Sequence, residues 1–217
     1  MDKLIPFSTI DNTIRTDKYN SKKCGYNTCN LFLADTLKKH WNVDVPKMKD
    51  DQYQSIPTSS DGNKKDWPEN PMSASVMTSY YKSRSEIKNS GVTEVSAEEG
   101  RKATNSGIPV VVLGSGHATI MAPSDESWPL IYRQDQAFSK DNRTRVGIKD
   151  KKAFKYYLLE PDKYESFNST IKKLGFSEKD VFTQFNVDDE LNYTGENQKY
   201  TDLRNTMDII ELLSKTK

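Results

Sequence analysis

Thiol and imidazole chemistry in this chain can come from only four side chains, Cys24, Cys29, His40 and His117, because its 217 residues include two cysteines and two histidines. Cys29 has the most suggestive setting. The stretch Tyr26-Asn27-Thr28-Cys29-Asn30-Leu31-Phe32-Leu33-Ala34-Asp35-Thr36-Leu37 reads as a polar turn running into an amphipathic helix. Asn27 or Thr28 can cap that helix by accepting from an orphan backbone N–H. A thiol in the first turn lies at the positive end of the helix dipole, where thiolate is favoured. Helical spacing from Cys29 picks out Phe32, Leu33, Thr36, Leu37, His40 and Trp41, a mostly apolar row that must face inward. The same row also suits a cysteine that only packs, since unbridged cysteine is among the most buried residue types. A Cys24–Cys29 disulfide would need the two Cα atoms within about 7 Å and would silence the nucleophile.

His117 follows Gly116 and opens a β-branched run, a place from which an imidazole can project over a sheet edge towards a helix packed there. His40 lies near Lys38, Lys39 and Trp41 on the Cys29 helix and reads as a packing residue. Asp50-Asp51 and Asp188-Asp189-Glu190 lack the ligand spacing of a calcium loop, and no phosphate-cradling glycine motif occurs. The chain is therefore expected to use neither a metal nor a cofactor.

The elements that must position Cys29 and His117 follow from pattern. The Cys29 helix ends near Trp41 and leaves through Val43-Asp44-Val45-Pro46. Residues 47–75 are rich in turn formers and predict loop; Trp67-Pro68 within it and Trp128-Pro129 further on suit either the border of a groove or turn anchors. A helix is predicted over Met72 to Lys88. Ser96-Ala97-Glu98-Glu99 is a capping box that opens another, which stops at Gly107. Ile108 to Leu113 predicts a buried strand, Gly114-Ser115-Gly116 a tight connection, and His117 to Met121 the next strand of a hairpin. Strands are also predicted at Pro129 to Gln134 and Phe154 to Leu159. Helices return at Tyr164 to Leu174 and Tyr200 to Leu213, the last with Leu203, Met207, Ile210 and Leu213 as a core stripe. Helix first, antiparallel sheet next and a helical tail last make an α+β fold.

Composition narrows the function classes. With 32 basic and 31 acidic residues the formal net charge is +1, so no global field favours nucleic acid or an anionic membrane surface. No apolar run approaches the roughly 20 residues that span a bilayer, so no membrane insertion is expected. Met1 to Thr9 is too short and too polar for a signal peptide.

Three stretches together give a family resemblance: the helix "NTCNLFLADTL", its exit "NVDVPKMKDDQYQ" and the hairpin "NSGIPVVVLGSGHATIMAP". In that order they resemble the CHAP and NlpC-type cysteine peptidases and amidases of bacterial cell walls, a papain-like group. The likeness covers roughly residues 24–137 and rests on Cys29 with Phe32 three positions on, Pro46-Lys47 at the helix exit, and Gly116-His117-Ala118-Thr119-Ile120 at the strand. Two positions depart from it: Asn30-Leu31 replaces the usual Ser-Gly after the nucleophile, and Gly107-Ile108 replaces the usual Gly-Asp before the hairpin.

The resemblance implies a papain-like core with its catalytic helix packed on an antiparallel sheet over residues 1–160, and a helical appendage over 161–217. It implies Cys29 as nucleophile, His117 as base and a third polar residue on the next strand to orient the imidazole, with Gln134 the first choice and Asp135 the second. It places Tyr26 and Asn27 where oxyanion or substrate helpers sit. The implied activity is peptidoglycan hydrolysis, as endopeptidase or amidase, through an acyl-enzyme on peptidoglycan peptides. The implied setting is secreted or periplasmic, with the tail suited to regulation or to a protein inhibitor or immunity partner. Two alternatives stand beside it: a catalytically degenerate scaffold that binds wall peptides or a partner, and a secreted effector acting on host protein.

Overall fold

A computed structural model describes residues 7–15, 29–45, 74–114, 116–125, 129–133, 144–148, 153–182, 185–187, 193–196 and 198–216. In chain order these form α1 (Phe7–Ile14), α2 (Cys29–Trp41), α3 (Ala74–Ser85), β1 (Val92–Val95), α4 (Ala97–Asn105), β2 (Val110–Gly114), β3 (His117–Ala122), β4 (Leu130–Arg133), β5 (Thr144–Gly147) and β6 (Phe154–Leu159). There follow α5 (Pro161–Lys173), α6 (Glu178–Phe182), β7 (Phe185–Val187), β8 (Tyr193–Glu196) and α7 (Gln198–Ser214). The fold is α+β, with a six-stranded sheet in the order β1-β6-β2-β3-β4-β5 and a separate β7-β8 hairpin. Every strand pair is antiparallel. No helix among the described residues is long and apolar enough to cross a membrane.

Alternation along the central strands divides the core into two clusters. Val111, Leu113, Ala118, Ile120 and Ala122 pack with α2 and α3 on one face, beside Phe32, Leu33, Leu37, Met77, Tyr80 and Tyr81. Val110, Val112, Met121, Ile131 and Tyr156 pack with Ala103 of α4 on the other. The sheet is thus covered on both sides, and β2 reads VVVLG because each of its faces is buried. The capping box forms as expected: Ser96 accepts from the Glu99 N–H at 3.2 Å and the Glu99 carboxylate accepts from the Ser96 N–H at 2.8 Å.

Residues after 160 share the core of those before it. Tyr164, Phe167, Ile171, Val181, Tyr200, Leu203 and Met207 belong to the same cluster as Cys29 and Phe32. The expected division at residue 160 is therefore no break in packing, and the segment carries the β7-β8 hairpin as well as helices. The stripe expected on α7 is half right. Leu203 and Met207 are buried, whereas Ile210 and Leu213 are 37% and 59% exposed. The helix outruns the body it packs on. Strands β1 and β5 were not legible in advance, being short and largely polar in sequence.

Candidate active site

Cys29 is the first residue of α2 and is 2% exposed; it is not part of a disulfide. The apolar row read from the sequence is the buried row, with Phe32, Leu33, Thr36 and Leu37 all closed off. The first turn is more enclosed than amphipathicity predicts, because Asn30 and Leu31 are buried too. The Asn30 side chain deals with one orphan donor of that turn, its Oδ1 accepting from the Leu31 N–H at 3.0 Å. His40 and Trp41 are half-buried and meet edge to face at 5.9 Å. Burial, reinforced by the Lys39 charge, lowers the His40 pKa, so this imidazole stays neutral near pH 7.

The far end of α2 is anchored. Trp41 donates its indole N–H to the Gly107 carbonyl at 3.2 Å, three residues before β2 begins. Its ring also meets Phe7 of α1 at 6.3 Å. Strands β2 and β3 run antiparallel with Gly114 opposite His117 and Val111 opposite Ile120, so the start of β2 lies beside the end of β3. The body of α2 packs on β3, and Phe32 meets the neighbouring Tyr132 ring at 6.0 Å. A helix of 13 residues is about 20 Å long, close to the length of a six-residue strand. With Trp41 held near the end of β3, a helix of this length packed on that strand is long enough to reach the end that His117 opens.

The pleat separates the two side chains across the sheet. Ala118, Ile120 and Ala122 face the cluster that contains Cys29, while Met121 faces the α4 cluster. Successive strand side chains alternate, so His117 goes with Thr119 and Met121 on the α4 face. Its partner across the hairpin agrees: a Cβ on Gly114 would stand 2.5 Å from the Phe154 ring, and Phe154 packs on the α4 cluster. The expectation that His117 projects towards the Cys29 helix is corrected on this point, because the Gly114–His117 register fixes the parity. Cys29 and His117 thus belong to opposite faces of the sheet, with His117 half-buried at the first position of its strand.

Tyr26 and Asn27, expected at the oxyanion, and Gln134 and Asp135, expected to orient the imidazole, lie outside the described residues, as do Cys24, Trp67 and residues 46–73. Among the described residues, no group of three or more His, Cys, Asp or Glu side chains is arranged to hold a metal ion.

One polar centre escaped sequence reading. Arg84 of α3 is fully buried and each of its five N–H groups has an acceptor. Nε and Nη2 donate to the Ser90 carbonyl at 3.0 and 2.9 Å, and Nη2 also donates to the Tyr164 carbonyl at 2.9 Å. Nη1 donates to the Tyr80 hydroxyl at 2.5 Å and to Asn168 Oδ1 at 2.8 Å. The guanidinium lies 3.4 Å from the centre of the Tyr164 ring. Tyr80 and Tyr164 share a hydrogen bond of 3.0 Å, and Tyr164 donates onward to the Asp44 carbonyl at 3.2 Å, just past α2. Burial pushes both phenols up, so they stay protonated. The available signal was the four-residue spacing of Tyr80 and Arg84, matched by that of Tyr164 and Asn168, which puts each pair on one helix face.

Compared with family models, with characterised proteins and with solved structures, the chain matches none.

Proposed function

We propose that this protein is a papain-like cysteine hydrolase that cleaves amide bonds of peptidoglycan peptides, as endopeptidase or amidase, with Cys29 as nucleophile and His117 as base. What supports the reading is the anchoring of α2: held by Trp41 at Gly107 and packed on β3, it is long enough for Cys29 to reach the end of the strand that His117 opens. In the reaction, His117 takes the Sγ proton as the thiolate adds to the amide carbonyl carbon. The tetrahedral adduct collapses to a thioester, and the leaving amine departs with the proton that His117 returns. Water then gives a proton to His117, adds to the thioester and releases the acid and the Cys29 thiol. The Cys29 backbone N–H, at the helix N-terminus, is suited to hold the oxyanion. His117 occupies the first position of its strand, and the reaction requires its imidazole to turn around the strand end to meet the thiol.

A second reading, a degenerate scaffold that binds wall peptides or a protein partner, is favoured by two observations: the opposite pleat of His117 and the 2% exposure of Cys29. One experiment separates the two. Purified peptidoglycan of several chemotypes is incubated with the wild type, Cys29→Ala and His117→Ala, and released fragments are weighed by mass spectrometry. Fragments made by the wild type alone support the hydrolase, and their masses name the bond. Binding of peptidoglycan without release by any form supports the scaffold reading. Cleavage of host proteins but not of wall would instead point to an effector.

A further inference from the structure

The row Phe154–Gly114–His117 crosses three adjacent strands, β6, β2 and β3, with Gly114 paired to both neighbours. All three side-chain positions share the α4 face. Phe154 leans across the glycine: its Cδ1 and Cε1 lie 2.5 and 2.7 Å from where a Gly114 Cβ would stand. An aromatic ring lying over a cross-strand glycine shields the bare backbone there. Here the ring has a second consequence. Directly paired residues have Cβ positions about 4.5–5.5 Å apart, so the ring edge that occupies the Gly114 position stands one pair spacing from the His117 Cβ. An imidazole in that position cannot fold back over β2, because the space is filled.

We infer that Phe154 is a positioning residue for His117, a wall that keeps the imidazole off the sheet interior and at the rim of β3. Its part in turnover rests on the hydrolase reading above; the place of the ring at Gly114 does not. Gly114 is required for the arrangement, since any side chain there would displace the ring.

The chain has only two histidines, so its imidazole signals are assigned by one variant, His40→Gln. The experiment is proton–carbon NMR of the imidazoles in the full chain, with through-space contacts, alongside hydrolysis of peptidoglycan. In the wild type, His117 ring protons are expected to contact Phe154 ring protons and to resonate away from exposed-histidine values. Phe154→Leu should return them towards those values, Phe154→Tyr should not, and His40 should be unmoved by both. Hydrolysis should fall about tenfold to a hundredfold in Phe154→Leu, the scale of a misplaced catalytic group, and recover in Phe154→Tyr. Gly114→Ala displaces the ring from the other side and should reproduce Phe154→Leu, which covers the case in which that variant fails to fold. His117 signals unchanged by loss of the ring overturn the inference whatever the activity. Moved signals with undiminished hydrolysis overturn its positioning role. Moved signals in a wild type that hydrolyses nothing support the contact and overturn the proposed function instead.

Discussion

Arg84 and Cys29 are both closed off from solvent, both on helices packed against the same face of the sheet, and they are buried in opposite ways. Arg84 is enclosed by hydrogen bonds from three parts of the chain: α3 itself, the Ser90 turn and α5. Cys29 lies in the apolar cluster that also holds Phe32, Leu33, Ala118 and Ile120. A buried cation is tolerable only when every donor is matched, and a matched set fixes a single arrangement of the groups around it. Hydrocarbon packing is non-directional and lets a side chain adjust. The Arg84 centre is therefore suited to hold the scaffold, and the Cys29 end to carry chemistry. If that contrast is right, changes at the first should be read mainly in stability and changes at the second mainly in activity.

The largest effect is expected from Arg84→Met. The new side chain leaves the Ser90 and Tyr164 carbonyls, Asn168 and Tyr80 without their donor, and breaking such a buried network should cost about 3–5 kcal/mol. Urea unfolding should show the loss, with the tail loosened together with the body. A stability unchanged by this substitution would break the comparison at its strong end.

Gly91→Ala tests the same region through the backbone. Gly91 has φ +74, and a Cβ there would stand 2.3 Å from the Tyr164 amide nitrogen and 2.6 Å from its Cα. Neither atom can move without shifting α5, so overpacking and the left-handed conformation together should cost about 3 kcal/mol. A drop in thermal midpoint measures it. Gly114→Ala, where the close atoms are chiefly a side-chain ring, should cost less.

These two positions also show what the sequence could and could not disclose. The Cys29 helix, the Ser96 capping box, the hairpin strands and the helices that became α5 and α7 were legible because local signals and packing agree there. Periodicity named Phe32, Leu33 and Leu37 as core. It could not name Arg84, since an arginine on a polar-looking helix such as ASVMTSYYKSRS reads as surface until its two distant acceptors, Tyr164 and Asn168, some 80 residues away, are in place. The face of His117 was hidden for a related reason. Alternation says only that His117 and Thr119 agree, and which side α2 takes is decided by tertiary packing. Short strands such as VTEV carry too few residues for any periodicity to register.

Cys29→Ala should reverse the balance seen at Arg84. Removing one buried sulfur should cost about 1 kcal/mol, while hydrolysis of peptidoglycan should disappear. Release of fragments that survives this substitution would make Cys29 a packing residue and remove the contrast between the two regions.

A smaller effect is expected from pH. Burial raises the pKa of Glu178 in α6, with Arg84 opposing and Asp44 and Glu165 adding to the rise. A carboxyl with a raised folded pKa binds more protons folded than unfolded, so it favours the fold at low pH and withdraws that support as pH climbs through the ordinary glutamate range to its folded value. Stability across that window should therefore fall less steeply with pH in Glu178→Gln than in the wild type. Equal slopes in urea titrations would mean that the Arg84 charge fully offsets the burial.

The smallest expected effect comes from the neighbour of Tyr80. Tyr80 and Tyr81 are adjacent on α3, both fully buried, with rings 5.3 Å apart at 80°. The Tyr80 hydroxyl is engaged by Arg84 and Tyr164, whereas the Tyr81 hydroxyl has no hydrogen-bond partner among the described residues. The Tyr81 ring stacks on Tyr157 at 5.8 Å, so its place is set by the ring and not by the oxygen. Tyr80→Phe should remove matched bonds and destabilise. Tyr81→Phe keeps the stacked ring and discards an oxygen that was desolvated without return, so it should be neutral or stabilising by up to about 1 kcal/mol. Paired urea titrations of the two variants would show opposite signs from chemically identical changes one residue apart. Matching signs would mean that position along α3, and not membership of the Arg84 centre, decides what a buried hydroxyl is worth.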